Sequence, residues 1–226
     1  MERFNFVVAQ LYPDATPETI FVANSFQQLN QLGFGQNNTI ACMGTCRDIS
    51  THALYDQLAE TWGDFSTVEM NGCQFSANAL EQFLDVQETT ARPHLLFIGL
   101  TQIGIDTDTG WYALNQLQRE CMFAQAKWRN RLNLQDDLTT LRRQLAPYLI
   151  ESNPSLVELT FHAHNAMCDD LQRWIDKHLV SAEINYAVLS GIQLFGNTDE
   201  QLIWPGVGYA VVNGQRHVLE LDTEYA

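Results

Sequence analysis

Positive charge is scarce in this sequence. Its 226 residues include 12 Lys and Arg against 27 Asp and Glu, which gives a formal net charge of -15 at pH 7. Proteins that bind nucleic acids neutralise phosphates with a basic stripe, and proteins that bind anionic membrane surfaces use clustered Lys and Arg. The composition therefore argues against both kinds of partner and favours a small or neutral ligand.

Long apolar runs and an export signal are also lacking. The longest apolar run spans residues 95–100, far short of the roughly 20 residues that cross a bilayer. The first residues lack the basic start and apolar stretch of a signal peptide. Five cysteines, an odd number, do not indicate a disulfide framework in such a chain. We therefore expect a cytoplasmic protein whose reduced thiols are buried fillers or metal ligands.

The sequence has no internal repeat, no low-complexity segment and no linker rich in Pro, Gly or Ser, so we expect a single domain over residues 1–226. Apolar residues, in contrast, are plentiful. Hydrophobic residues make up 46% of the chain and aromatic residues 11%, which is enough for a substantial core and argues against disorder.

Strand-like and helical patterns alternate along the chain. The predicted strands cover residues 39–43, 93–105, 184–194 and 207–221, and the predicted helices run from the cap Ser50 to Gly63 and over residues 76–84, 136–150 and 154–179. The pair Asn213-Gly214 is typical of a type I′ hairpin turn. This order predicts an α/β fold, a sheet flanked by helices, with a C-terminal β-hairpin that adds an antiparallel part.

The triplet Cys46-Arg47-Asp48 stands between a predicted buried strand and a predicted helix. Ligand sites of open α/β sheets collect at the carboxyl ends of strands. A thiolate is a good zinc ligand, a neighbouring carboxylate can orient a metal-bound water, and an arginine beside it keeps that carboxylate ionised. Taken alone, the triplet is better explained as a loop ion pair beside a buried thiol.

Other His, Cys and Trp residues favour structural roles. His162 and His164 stand two apart on a predicted helix and do not share a face, so a metal pair there is disfavoured. The spacing of Cys42 and Cys46 runs out of a strand into a loop, which disfavours a zinc knuckle. Cys73 and Cys168 are expected to be buried thiols. The remaining candidates are expected in the core or at a dimer interface: Trp62, Trp111, Trp128 and Trp174.

Several segments together resemble the LCIB/LCIC family, which is named for algal proteins induced at limiting CO2 and is found also in bacteria. The resemblance implies a divergent bacterial or cyanobacterial member. The segments that carry it follow one another in chain order: residues 32–42, 46–48, 62–65, 101–106, 120–124, 159–160, 185–193 and 209–214. They are similar to the family's N-T-I-A, C-R-D-E, W-G…F, P-H-I-G-I-D, A-C-G-A-L, D-Y-A-V-x-T-G-V-Q-I-H and Y-V-V-V-N-G patterns.

This resemblance implies a β-carbonic-anhydrase-like fold, a homodimer, and zinc held by two cysteines and one histidine. Cys46 and Cys121 would be the thiolate ligands. Asp48 and Arg47 would control the open position at the metal, where CO2 and bicarbonate interconvert. The family's histidine, however, falls on Gln102.

An amide oxygen is a far weaker zinc ligand than an imidazole nitrogen. His94 is not expected to replace it, because eight extended residues separate the two positions by roughly 26 Å. Another histidine (His52, His162 or His164) would have to fold in. Two further departures agree with a relaxed site: Ile49 stands where the family has Glu, and Phe195 stands near the place of another family histidine.

Three functions are therefore compatible with the sequence. The first is a carbonic anhydrase, and the second is a pseudoenzyme of the same fold that binds CO2 or bicarbonate or acts as a scaffolding or regulatory subunit. Gln102 leaves these two nearly balanced, with activity expected to be weak or absent. The third is an acidic α/β domain for a nucleotide or metabolite. It is disfavoured because no Gly-rich loop follows a strand and opens a helix.

Overall fold

The structure is a computed structural model that describes residues 2–45, 52–63, 65–69, 75, 77–90, 92–105, 143, 145–148, 155–180, 184–196 and 201–221. Four of the residues predicted to form the site, Cys46, Arg47, Asp48 and Cys121, lie outside the described residues, as does the predicted cap Ser50.

Helices and strands alternate through most of the described chain. The helices are α1 (Glu2–Leu11), α2 (Glu18–Gln31), α3 (His52–Trp62), α4 (Ala77–Thr90) and α5 (Leu156–His178). The strands are β1 (Thr16–Pro17), β2 (Thr39–Thr45), β3 (Phe65–Glu69), β4 (His94–Gly104), β5 (Asn185–Phe195), β6 (Gln201–Val212) and β7 (Gln215–Val218). Residues 143 and 145–148 are also helical, in agreement with the helix predicted over residues 136–150.

The strands of the described chain form one seven-stranded mixed sheet. Its order is β1-β6-β5-β4-β2-β3, and β7 pairs with β6. The strands β3, β2, β4 and β5 are parallel, whereas β1, β6 and β7 run antiparallel to their neighbours. This arrangement confirms the predicted α/β fold with its antiparallel C-terminal part.

Helices cover both faces of the sheet, which explains why β4 and β5 are almost continuously apolar. Every residue from the second to the last of each strand is buried, as expected for parallel strands with helices on both sides.

On one face, α2 and α3 contribute Phe21, Leu29, Leu54, Leu58 and Trp62 to the core. On the other face, α4 and α5 contribute Leu80, Phe83, Met167, Leu171, Trp174 and Ile175, and α1 adds Phe4 and Val8 beside the carboxyl end of β4. Each large apolar side chain buried in this way stabilises the fold by roughly 1.5–3 kcal/mol.

Several local predictions are confirmed. Asn213 and Gly214 have φ angles of 51° and 78° and join β6 to β7, as a type I′ turn requires. Trp62 and Trp174 are core residues, and Cys42 is a buried thiol. Cys168, predicted to be buried, is only half-buried. Cys73, Trp111 and Trp128 lie outside the described residues.

The sequence predicts that the strand begins at residue 207, but β6 begins earlier. The strand begins at Gln201. It contains the pair Pro205-Gly206, which as a sequence pattern indicates the end of a strand. Pro205 lies opposite Gly191, where the register between β5 and β6 shifts. A proline, which has no N–H to donate, is tolerated in a sheet at such an irregularity. The prediction was wrong because the bulge that accommodates the proline is a property of the strand pair.

Elements α1, α2 and β3 also lack a counterpart in the sequence prediction. The helix predicted over residues 76–84 continues to Thr90. No helix of the described chain combines the length and the apolar character needed to cross a membrane.

Candidate functional site

β2 ends beside the middle of β4, and both strands point toward the place where the sequence predicts the site. Gly44 pairs with Gly99, and Thr45 is the last residue of β2. The Cys46-Arg47-Asp48 triplet therefore follows directly on β2. Gln102 lies three residues beyond Gly99 on β4. In an open parallel sheet, this edge is where ligands bind.

Gln102 is a buried polar residue near the end of β4. Its side chain is 5% exposed, and neither its Oε1 nor its Nε2 has a hydrogen-bond partner among the described residues. Alternation along β4 places it on the face that carries Leu96 and Leu100 and packs against α2 and α3. A buried polar group without a partner costs about 1–3 kcal/mol, and no side chain or backbone group of the described residues offsets that cost for this amide.

A second buried glutamine stands beside it on the next strand. Gln193 of β5 is the Cα partner of Gln102 and is 1% exposed. Its Nε2 donates to Oε1 of Glu18 at 2.5 Å. Glu18, the first residue of α2, is itself 6% exposed, and burial raises the pKa of its carboxyl while the hydrogen bond from Gln193 partly opposes that rise.

Glu18 and Gln193 are not among the site residues predicted from the sequence. The available signal was a lone glutamine between two apolar residues, since Ile192 and Leu194 flank Gln193 in the strand. Glu18 had no such local signal, because it is the first residue of a helix, where an acidic residue is ordinary.

A different polar cluster lies on the opposite face of the sheet, beneath α5. His164 places Nε2 3.1 Å from Oγ of Ser190 and 3.7 Å from Sγ of Cys168. The Ser190 hydroxyl also accepts from the Val207 amide at 2.8 Å and donates toward the Val207 carbonyl at 3.1 Å. A Cβ built on Gly206 would lie 2.6 Å from His164, so this position requires glycine. The cluster therefore bridges α5, β5 and β6 at the bulge.

Its groups are not activated for nucleophilic chemistry. Burial lowers the pKa of His164, with a side-chain hydrogen bond to Asn165 acting in the opposite direction. Burial also raises the pKa of Cys168. A protonated thiol is not the nucleophilic form of cysteine. The cluster is best explained as structural.

Three of the predicted zinc candidates, His94, His162 and His164, have other neighbours in the described chain, and the side chain of His52 lies outside the described residues. His94 is the first residue of β4 and contacts Phe34 with ring centroids 4.8 Å apart, so it lies at the amino end of the strand. His162 stacks on Tyr148 at 3.6 Å, and His164 faces the other side of the sheet. The prediction that His162 and His164 do not form a metal pair agrees with these separate contacts.

The residues of the described chain do not by themselves make a zinc site. They contain no cluster of three or more His, Cys, Asp or Glu side chains that could hold a metal ion. Cys42 is fully buried, and burial raises the pKa of its thiol to about 12, so it does not supply a thiolate. Gln102 offers a neutral amide where the family resemblance expects an imidazole, and such an amide does not fit as the third ligand.

Solved structures share this fold along nearly the whole chain. The crystal structure of PtLCIB4, a homologue of the limiting CO2-inducible protein LCIB, superimposes with a TM-score of 0.77 at 20% identity, covering 94% of this chain and 98% of that chain. The crystal structure of LCIB superimposes with a TM-score of 0.74 at 22% identity, covering 94% and 96%. No protein-family model matches the sequence, and a search of curated proteins finds no match. The fold of this chain is therefore that of LCIB and PtLCIB4.

Proposed function

We propose that this protein is a carbonic-anhydrase-like protein of inorganic-carbon metabolism that acts on CO2 or bicarbonate at the carboxyl ends of β2 and β4. The observation that carries the proposal is the position of Cys46-Arg47-Asp48, directly after the last residue of β2, in a chain that has the LCIB fold. LCIB is described as a limiting CO2-inducible protein, which agrees with a ligand from inorganic-carbon chemistry.

Four residues are proposed to build the zinc part of this site. Cys46 and Cys121 would hold the ion as thiolates. Arg47 would keep Asp48 ionised and in place through paired N–H donors, and Asp48 would accept a hydrogen bond at the open position. A bound zinc ion supplies a Lewis acid that lowers the pKa of its water toward about 7.

Gln102 determines how well such a site works. Because its amide is a much weaker donor than imidazole, we expect substoichiometric zinc and CO2 hydration far slower than at an intact site.

The alternative is a non-catalytic pseudoenzyme that binds CO2 or bicarbonate or acts as a scaffolding or regulatory subunit. Gln102, whose amide has no partner among the described residues, supports this alternative too, since binding does not need a complete metal site. In either case, we propose a single-domain cytoplasmic homodimer.

The first test restores the missing imidazole with Gln102→His. Zinc is measured by elemental analysis and CO2 hydration by stopped flow, on the wild-type protein and on the variant. We expect the variant to bind more zinc and to hydrate CO2 faster by at least roughly tenfold, which is the effect of even an outer-shell partner of a zinc ligand.

Two controls accompany this test. Gln102→Leu removes the amide without adding a ligand and should not gain activity, and Cys46→Ala in the Gln102→His background should lose the gain. Stoichiometric zinc with efficient hydration in the wild-type protein would show that Gln102 does not impair the site. If neither protein binds zinc or hydrates CO2, the zinc site fails and the non-catalytic alternative holds.

A further inference from the structure

The turn between β6 and β7 places an asparagine and a glycine side by side in water. Asn213 and Gly214 are both exposed, as are Gln215 and Arg216 at the start of β7. Gly214 has no side chain that would shield its backbone nitrogen from the Asn213 side chain. No other asparagine of the described residues is followed by glycine, so this turn is chemically distinct within that part of the chain.

An asparagine next to a glycine can rearrange with water as the only co-reactant. The Gly214 nitrogen attacks Cγ of Asn213, an N–Cγ bond forms, and the Cγ–Nδ2 bond breaks as ammonia leaves with the proton of the Gly214 amide. Water then opens the resulting succinimide ring. Cleavage of the new N–Cγ bond gives aspartate. Cleavage of the original bond between the Asn213 carbonyl carbon and the Gly214 nitrogen gives isoaspartate, in which the main chain runs through Cβ and Cγ.

The closed turn holds the two reacting atoms apart. The φ angles of 51° and 78° fit a type I′ turn, the mirror image of type I, in which ψ of the first central residue is about +30°. For an L residue at this ψ, Cβ and the following nitrogen lie on nearly opposite sides of the Cα–C bond. The succinimide ring does not close from that arrangement, so Asn213 has to leave the turn conformation before it reacts.

Contacts on both sides of the turn oppose this opening. Oδ1 of Asn185, the first residue of β5, accepts from the Asn213 amide at 2.8 Å. Within the hairpin, the guanidinium carbon of Arg216 lies 3.7 Å from the centroid of the Tyr209 ring. The Asn185 side chain is the one that bonds directly to the reacting residue, and it reaches the turn from a neighbouring strand of the sheet.

We propose that Asn213 is a deamidation site whose rate is set by opening of the β6–β7 hairpin against the hydrogen bond from Asn213 to Asn185. Isoaspartate adds one carbon atom to the main chain of a two-residue turn. Because loop length fixes the register of a hairpin, the pairing of Val212 with Gln215 is lost and β7 separates from β6. The aspartate product keeps the turn, since Asp-Gly also suits type I′.

The test follows isoaspartate at residue 213 while the folded protein is kept at mildly alkaline pH, well below its unfolding temperature. Peptide mass mapping and enzymatic methylation of isoaspartate give the rate, and the mapping separates the peptide that carries Asn71-Gly72, which lies outside the described residues. We expect Asn185→Ala to react roughly two- to tenfold faster than the wild-type protein, as for the loss of one hydrogen bond. Asn185→Asp should react at nearly the wild-type rate, because its carboxylate still accepts from the Asn213 amide.

Two comparisons complete the test. The wild-type protein unfolded in urea should react faster than the folded protein, and Asn213→Gly, which keeps a turn suited to type I′, should form no isoaspartate there. Trypsin should cleave after Arg216 faster in the aged wild-type protein than in aged Asn213→Gly, because paired strands resist local opening. Equal rates in Asn185→Ala and the wild-type protein, or in folded and unfolded protein, would overturn the control by the hairpin. If residue 213 reacts in urea and never in the folded protein, the site itself is overturned.

Discussion

At the scale of single residues, buried polar side chains lie on both faces of the sheet, and a few of them bond to one another. On the α5 face, His164 bonds to Ser190, and the Ser190 hydroxyl also bonds to the backbone of β6. On the α2 face, Glu18 and Gln193 bond to each other, whereas Gln102 has no partner in the described chain. The first set joins α5, β5 and β6 at the bulge, and the second set joins the start of α2 to β5.

Glu18, on the α2 face, makes the stability of the protein depend on pH. Burial raises the pKa of its carboxyl above the ordinary value of 4.5. Between the unfolded and the folded pKa, the folded protein keeps a proton that the unfolded chain has released, so stability falls as pH rises. Glu18→Gln removes this titration and keeps an oxygen that accepts from Gln193. We expect the variant to gain stability relative to the wild-type protein as pH rises above 4.5, measured by urea unfolding across the pH range.

Asp14→Asn serves as the matched control for net charge, because Asp14 is an exposed carboxylate four residues earlier. It should not reproduce the pH-dependent gain. A stability difference between Glu18→Gln and the wild-type protein that stays constant from acid to neutral pH would contradict a raised pKa at this position.

At the scale of elements, α5 has the most complete set of end signals. The Oγ of Ser155 accepts from the Glu158 amide at 3.2 Å, and the Glu158 carboxylate accepts from the Ser155 amide at 2.7 Å. This capping box satisfies two amides that the first turn leaves free. Lys177 and His178 stand in the last turn, where positive charge is favourable. Helix α5 therefore begins and ends where its own sequence dictates, and it packs across β4 and β5 as the cover of one face.

Ser155→Ala tests the cap. The substitution removes the side-chain acceptor of the box, and we expect the free energy of unfolding to fall by about 0.5–2 kcal/mol. Ser155→Asp should retain most of the wild-type stability, since aspartate caps a helix as well as serine does. Denaturant unfolding measures both variants, and equal stability of the alanine variant and the wild-type protein would show that packing alone sets the start of the helix.

At the scale of the whole molecule, acidity is the dominant electrostatic feature. The formal net charge is -15, and compaction brings these like charges together. Like-charge repulsion destabilises the compact state. Salt screens it, because the Debye length falls from about 30 Å at 0.01 M to about 8 Å at 0.15 M ionic strength.

The unfolding temperature is therefore expected to rise when NaCl is raised from roughly 0.01 M to 0.15 M. For a chain of this size the rise is about 2–4 °C for each kcal/mol of repulsion that is relieved. Differential scanning calorimetry gives the measurement, and choline chloride at the same ionic strength controls for specific effects of sodium. A fall in the unfolding temperature would mean that attractive ion pairs outweigh the net charge.

The sequence by itself determined the features that arise between near neighbours. The apolar runs of β4 and β5, the turn at Asn213-Gly214 and the helical periodicity of α5 are local patterns, and each was predicted to within a few residues. The placement of Cys46 directly after a buried strand was predicted for the same reason.

Only the tertiary structure decided which polar groups share a site. Glu18 and Gln193 are 175 residues apart, and their bond depends on α2 docking over the end of β5. Gln102 has Gln193 as its neighbour because β4 and β5 pair in one register, and Pro205 lies within β6 because Gly191 opposes it at the bulge. Local preferences act over a few residues, whereas register and docking follow from the burial of the whole core, so a single stretch of sequence does not encode them.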